Sequence, residues 1–216
     1  MKKGKGYINT HKKRFQASIQ YLVTNGILKD GMRVLNIGAC DYWREIFCSV
    51  KQDIDYTEFT GDIRLPVDSN NYDLVLCMEV IEHLKDLELP VGSPEFDEFN
   101  GSGIKGMLKN CKELLTPGGH LFISTPNTHC YRTMFNWVMG NDLFTYSPHP
   151  RELSWAYMKD VIKRHFDIVH TECFSNWNCH NTPKPFMKAM EKWLLERGFS
   201  IQDRDKGNRF ILCRPK

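Results

Sequence analysis

An α/β fold with a mainly parallel sheet covered by helices on both faces is predicted from three observations. Short apolar runs alternate with amphipathic stretches, glycine or proline turns punctuate the boundaries, and no repeat of about 20–50 residues interrupts the pattern. A length of 216 residues suits one α/β-sized domain, 1–216, with elaborations. Phe15, Ile19, Leu22 and Val23 at helical spacing, stopping at Asn25 and Gly26, predict an amphipathic helix over 11–25 that lies on the sheet. A strand over 32–37, closed by Gly38, then leads into a helix over 42–50. Strands follow at 56–59 and 72–77, with a helical stretch from Glu79 and a further helix over 103–115. Pro117, Gly118 and Gly119 form a turn before a strand at 120–124, and an irregular insertion follows. The chain closes with a helix over 152–165, a strand over 166–173, a helix over 186–197 and a last strand over 209–213.

Composition narrows the class. Hydrophobic residues at 41% and charged residues at 25% are globular values, which exclude a disordered or collagen-like chain. No apolar run approaches the roughly 18 residues of a membrane span, and the basic N-terminus lacks the apolar stretch of a signal peptide. The eight cysteines include no C-x-x-C pair and sit in apolar segments, as reduced thiols do. A cytoplasmic protein is expected. Residues 1–29 carry seven Lys or Arg and no acid, so the basic N-terminal helix, 1–30, is either a solvated terminus or an attractor of anionic ligands. Beyond it no arginine–aromatic interleaving of a nucleic-acid track is present, which disfavours nucleic acid as a partner.

Two segments break the alternation. The acidic stretch 86–103 holds Asp86, Glu88, Glu95, Asp97 and Glu98 with no basic residue, and is a lid over the site or a solvated loop. The insertion 131–154 is rich in aromatics (Tyr131, Phe135, Trp137, Phe144, Tyr146), which either wall an acceptor pocket or pack the insertion down.

Gly38 ends a strand just before a helix, where a backbone can approach a ligand closely. The turn has one glycine rather than G-x-G-x-x-G, which argues against a hydride-transferring dehydrogenase. Glu58, about 20 residues on at a strand end, is placed to accept from ribose hydroxyls. Asp62 follows in a strand-end loop, placed to accept from an exocyclic amine of adenine.

The runs VLNIG at 34–38, GDIRLP at 61–66, NYDLVLCMEVIEHL at 71–84 and LLTPGGHLFISTPN at 114–127 resemble, in order, the motifs of class I S-adenosylmethionine-dependent methyltransferases. The later pattern ending in RFILC at 209–213 is similar to that family's final strands, so the resemblance covers nearly the whole chain. It implies a Rossmann-like fold with an antiparallel last strand and S-adenosylmethionine as cofactor. Gly38 then lets the loop run against the methionine part, Glu58 takes the ribose, Asp62 is the acid near adenine, and Cys77 and Met78 pass behind ribose and adenine, with Asn36, Ala39, Gly61 and Ile63 as further cofactor-binding residues. Asn36 stands where the family usually ends its first strand with an acid, and Cys40 and Tyr42 stand where further glycines are common. The stretch between Cys48 and Gly61 is too short for the usual second helix and third strand, which leaves Asp55 as an alternative ribose acid.

Methyl transfer is an in-line displacement for which the protein supplies mainly position. Glu79, Glu82 and His83 at i, i+3 and i+4 are expected to share one helical face at the rim. Two functional readings follow, His83 or Glu79 as general base, or Glu79, Glu82 and His83 as ligands of Mg²⁺ or Mn²⁺, beside a purely structural one in which Glu82 serves helix packing or capping. The metal reading resembles small-RNA 3′-end 2′-O-methyltransferases and ubiquinone-pathway O-methyltransferases, with His149 as the distant ligand or a further catalytic group. His129 is a secondary rim candidate, whereas His120, His165 and His170 are expected to be packed or solvated. The resemblance implies O-methylation of a sugar, glycan or other small metabolite. Metal-dependent 2′-O-methylation of an RNA end and a degenerate, non-catalytic binding protein are the alternatives, and the oligomeric state is open.

Overall fold

A computed structural model describes residues 5–38, 41–50, 53–68, 71–86, 102–141, 152–175 and 182–216. Helix α1 (Lys5–Thr24) precedes strand β1 (Arg33–Ile37), helix α2 (Asp41–Val50), strand β2 (Asp55–Phe59) and strand β3 (Tyr72–Met78). Helix α3 (Ser102–Leu114), strand β4 (Leu115–Pro126), helix α4 (Tyr131–Val138) and helix α5 (Trp155–Lys163) follow. Strand β5 (Phe166–Phe174), helix α6 (Lys184–Glu196) and strand β6 (Asn208–Pro215) complete the order.

The strands form one sheet in the order β2-β1-β3-β4-β6-β5. β1 to β4 are mutually parallel where they pair, and β6 runs antiparallel to both β4 and β5. Both faces are covered, so the strands read as continuous apolar runs whose alternate residues enter different cores. Leu35, Ile37, Val75, Cys77, Leu121 and Ile123 pack against Ile104, Met107 and Leu108 of α3 and Met158, Val161 and Ile162 of α5. Val34, Leu74, Leu76 and Phe122 pack against Phe15, Ile19 and Leu22 of α1 and Ile46 and Phe47 of α2. Each fully buried side chain of this kind contributes up to about 1.5–3 kcal/mol, so α1 is held chiefly by three residues on one stripe.

From β1 the chain winds outward to β2, then crosses back to pair β3 on the other side of β1. That reversal places a crevice at the carboxyl ends of β1 and β3, where open α/β sheets bind ligands. No third strand lies beyond β2, so β2 is the sheet edge among the described residues. This is the structural counterpart of the short stretch before Gly61.

Three expectations are corrected. The helix expected from Glu79 is a single 3₁₀ turn, Ile81–His83, because Glu79 itself takes a left-handed conformation (φ 56°) that no α-helix accommodates. Strand β4 begins at Leu115 and runs through the anticipated turn at 117–119, since Leu115 already pairs with Tyr72 across a register shift. The insertion after β4 opens with a regular helix, α4, rather than irregular chain. Residues 87–101 of the acidic segment and 142–151 of the aromatic insertion lie outside the described residues. Among the described residues no helix is long and apolar enough to cross a membrane, and Cys77, Cys111, Cys130, Cys173 and Cys213 are buried thiols outside any disulfide.

Candidate functional site

The crevice opens into a cavity of about 450 Å³ lined by Ile37 and Gly38 after β1, Phe59 to Arg64 after β2, and Val80 with His83 to Lys85 after β3. Gly38 has φ 103°, and a Cβ there would overlap the Val80 side chain, so both backbone and space require glycine. Gly61, Asp62 and Ile63 line the same cavity. Ala39 lies outside the described residues. Cys77 and Met78 are buried beneath the cavity, one on each face of the sheet, and do not line it.

Polar atoms without partners cluster at this end of the sheet. Asn36 is 1% exposed, and both its amide atoms lack a hydrogen-bond partner. Its neighbour in register, Glu58 of β2, has one buried carboxylate oxygen in the same condition. Such atoms are costly unless a ligand or water satisfies them. Glu58 lines a second cavity of about 450 Å³ that shares Phe59, Thr60, Gly61 and Asp62 with the first and continues past Leu65 to Asp68 along the open sheet edge. Asp55 sits at the opposite, amino end of β2, 3.5 Å from Arg33, far along the strand from the crevice. The alternative ribose acid is therefore removed by position.

Asp62 is gripped by Arg64, whose Nε donates to Oδ1 (2.9 Å) and whose Nη2 donates to Oδ2 (2.6 Å), while the Arg64 backbone N–H donates to Oδ1 (3.0 Å). The Arg64 hydrogen bonds hold the Asp62 carboxyl below the usual carboxylate range. Arg64 also donates to the Lys85 carbonyl (3.0 Å), tying the two loops that frame the cavity.

The rim turn after β3 departs most from expectation. The Glu79 N–H donates to the Ser124 carbonyl at 2.8 Å. Its Oε1 accepts from Ser124 Oγ (2.9 Å) and Asn208 Nδ2 (2.7 Å), and its Oε2 pairs with Arg14 Nη1 from α1 at 2.9 Å. Glu82 is fully buried and accepts from Thr125 Oγ1 (3.2 Å); burial, then the Glu79 charge, push its carboxyl well above the usual range and favour its neutral form. His83 is exposed on the cavity wall. The shared helical face of Glu79, Glu82 and His83 thus does not form, and no group of three such residues among those described could hold a metal ion. The donor set does not fit Mg²⁺ or Mn²⁺ either: Glu79 is occupied by a guanidinium, and Glu82 is fully buried, where the charged carboxylate a hard cation needs is disfavoured. His149, the fourth expected ligand and a catalytic candidate, lies outside the described residues.

On the far side of the rim, Asn127 Nδ2 donates to the carbonyls of Asp203 (3.0 Å) and Lys206 (2.8 Å), fixing the start of the α4 segment to the chain before β6. His129 beside it is exposed by surface area; desolvation, then Arg204 and Arg209, hold its imidazole below the usual range and therefore neutral. Arg14, Arg64, Ser124 and Asn208 were not anticipated. A signal existed for Arg14 alone: with Ser18 it shares the spacing of Phe15, Ile19 and Leu22, the buried face of α1.

The model of the family described as Methyltransferase domain matches residues 9–181. Ubiquinone biosynthesis O-methyltransferase of Coxiella burnetii (strain Dugway 5J108-111) is 30% identical over 103 residues, 43% of this chain and 37% of that protein. The protein of the same name from Pectobacterium atrosepticum is 30% identical over 87 residues, 40% of this chain and 27% of that protein. This chain thus aligns with well under two thirds of either relative. A SAM-dependent methyltransferase from Archaeoglobus fulgidus superposes with a TM-score of 0.58 at 13% identity, covering 98% of this chain and 100% of that one. Magnesium protoporphyrin IX methyltransferase from Synechocystis PCC 6803, solved with bound S-adenosylhomocysteine, superposes with a TM-score of 0.54 at 13% identity, covering 96% and 84%. At that identity the likeness is one of fold.

Proposed function

Since the chain belongs to the methyltransferase domain family and has the class I S-adenosylmethionine-dependent fold, we propose that it methylates a hydroxyl oxygen of a sugar, glycan or other small metabolite. The observation that carries the cofactor part is the cavity itself. Gly38 gives it a floor no side chain can enter, and Glu58, which has a buried carboxylate oxygen without a hydrogen-bond partner, lines the adjoining cavity.

In this reading Gly38 holds the methionine portion of S-adenosylmethionine, Glu58 accepts from the ribose hydroxyls, and Asp62 with Ile63 meets the adenine edge. Asp62 keeps acceptor capacity beyond its bonds to Arg64, and Arg64 keeps it ionised for that purpose. When bound, the cofactor supplies an electrophilic methyl on a sulfonium sulfur. The chain's own task is to align the acceptor and take its proton. His83, exposed on the cavity wall, is the general base, and neutral His129 across the rim is a second proton acceptor for a larger substrate. Oxygen as the acceptor atom is supported by the names of the partial curated relatives. A cytoplasmic setting fits the five buried thiols outside any disulfide.

The test is a calorimetric titration with S-adenosylhomocysteine, run in chelator and again with Mg²⁺ or Mn²⁺. Micromolar binding, equal in both buffers, is expected. A folded protein that binds nothing supports a non-catalytic relative instead, and metal-dependent heat would revive the RNA-end reading. A screen of hydroxylated sugars and metabolites with methyl-labelled cofactor then identifies the acceptor, with label on nitrogen or carbon overturning O-methylation.

A further inference from the structure

Among the described basic side chains of residues 1–29, Lys12, Lys13 and Lys29 are exposed, but Arg14 is only 5% exposed. Its backbone carbonyl accepts from the buried Ser18 hydroxyl (3.1 Å), and its guanidinium meets Glu79 Oε2 at 2.9 Å. The solvated-arm reading does not account for this residue.

Glu79 is the junction of four elements. Arg14 reaches it from α1, Ser124 from β4 and Asn208 from β6, while its own backbone leaves β3 in the left-handed region that an L side chain rarely adopts. Such a conformation persists only where surroundings over-determine it, and here the side-chain bonds and the N–H to Ser124 do so. The next residue, Val80, fills the space above Gly38, and His83 and Leu84 continue the same cavity wall. The wall therefore takes its position from how Glu79 is held.

We propose that Arg14 is a positioning residue for the cofactor cavity, acting through Glu79, so that docking of α1 on the sheet and closure of the Val80–Leu84 wall are one equilibrium. The proposal rests on assigning that cavity to S-adenosylmethionine. Removing one partner of a buried ion pair leaves the other charge uncompensated, so without Arg14 the Glu79 carboxylate is driven to re-orient, and the turn loses its anchor. Reciprocity demands the converse: a ligand that favours the closed wall must favour docked α1.

The experiment uses the full chain and S-adenosylhomocysteine. Arg14→Met should weaken binding about 5- to 150-fold, the usual span of coupling between two sites, and Arg14→Lys should restore most of it. Because Arg14 acts through Glu79, Arg14→Met with Glu79→Gln should bind no worse than Arg14→Met alone. Amide exchange in residues 12–20 of the wild type should slow when the ligand is added. Wild-type-like binding by folded Arg14→Met, additive losses in the double variant, or α1 exchange indifferent to ligand would each overturn the proposal. The wild-type exchange measurement decides alone if Arg14→Met does not fold. Failure of the wild type to bind at all removes the cofactor assignment instead, which is a separate result.

Discussion

Asn36 and Glu58 lie side by side in the parallel register of β1 and β2, and each ends in a buried polar atom with no hydrogen-bond partner. Leaving such groups unsatisfied costs about 1–3 kcal/mol each, so a ligand that satisfies them recovers that amount on binding. Asn36→Leu, nearly isosteric, should therefore leave the melting temperature of the ligand-free protein unchanged or higher, because an orphaned amide is replaced by apolar surface. The same variant should bind S-adenosylhomocysteine about tenfold or more weakly, the equivalent of one good hydrogen bond. Calorimetry and a thermal melt on one preparation check both halves. Unaltered affinity would mean that the Asn36 amide serves no ligand.

Gly38→Ala tests the cavity floor. The substitution forces an L residue to φ 103° and drives its Cβ into Val80. Backbone strain and overpacking together cost about 2–4 kcal/mol, which in a chain of this size lowers the melting temperature by roughly 4–16 °C. Adding Val80→Ala should recover the overpacking share and leave the strain, and neither protein should bind S-adenosylhomocysteine normally. A Gly38→Ala protein that melts and binds like the wild type would show that the loop has another conformation available.

What was legible in the sequence followed local physics. Apolar runs marked β1, β3 and β6, and the few residues between Cys48 and Gly61 agree with β2 being the sheet edge among the described residues, because chain length bounds what can be built. Gly38 was legible since a lone glycine after a strand has few other uses. The rim turn was not. Residues 79–84 read locally as helix, and their departure depends on Ser124 and Asn208, which lie 45 and 129 residues away and capture the Glu79 carboxylate. The α4 helix was missed for the opposite reason: Tyr131, Thr133, Phe135, Asn136, Trp137 and Val138 are weak helix formers, and packing overrides that preference through Phe135, whose ring meets Phe186 of α6 at 5.1 Å.

Glu82 gives the protein a defined dependence on pH. Its folded-state pKa is raised well above the ordinary value of 4.5 by burial, then by the Glu79 charge, while the unfolded chain ionises normally. Below about pH 4.5 both states hold the proton. As the pH rises through that value the unfolded state loses its proton first, so stability falls progressively toward the folded pKa. Glu82→Gln keeps the neutral, hydrogen-bonding form without the titration. Its melting temperature should match the wild type near pH 4.5 and exceed it at neutral and alkaline pH. Parallel curves for the two proteins across that range would place the Glu82 proton elsewhere.

His83 and Asp62 line one cavity but should fail in different ways. A general base for a hydroxyl acceptor is worth typically about 10²–10⁴-fold in rate, and His83 is the imidazole on the cavity wall among the described residues. With an acceptor from the screen, His83→Ala should lower kcat about 100-fold or more while S-adenosylhomocysteine affinity stays within about threefold of the wild type. Asp62→Ala removes the proposed adenine contact and also releases Arg64 from its bidentate grip, loosening the loop that reaches the Lys85 carbonyl. That variant should lose cofactor affinity first, with kcat at saturating cofactor closer to the wild type. The reverse pattern would exchange the two roles, and an unchanged kcat/KM in His83→Ala would shift the base to His129, whose neutral imidazole is already set by its desolvation beside Arg204 and Arg209.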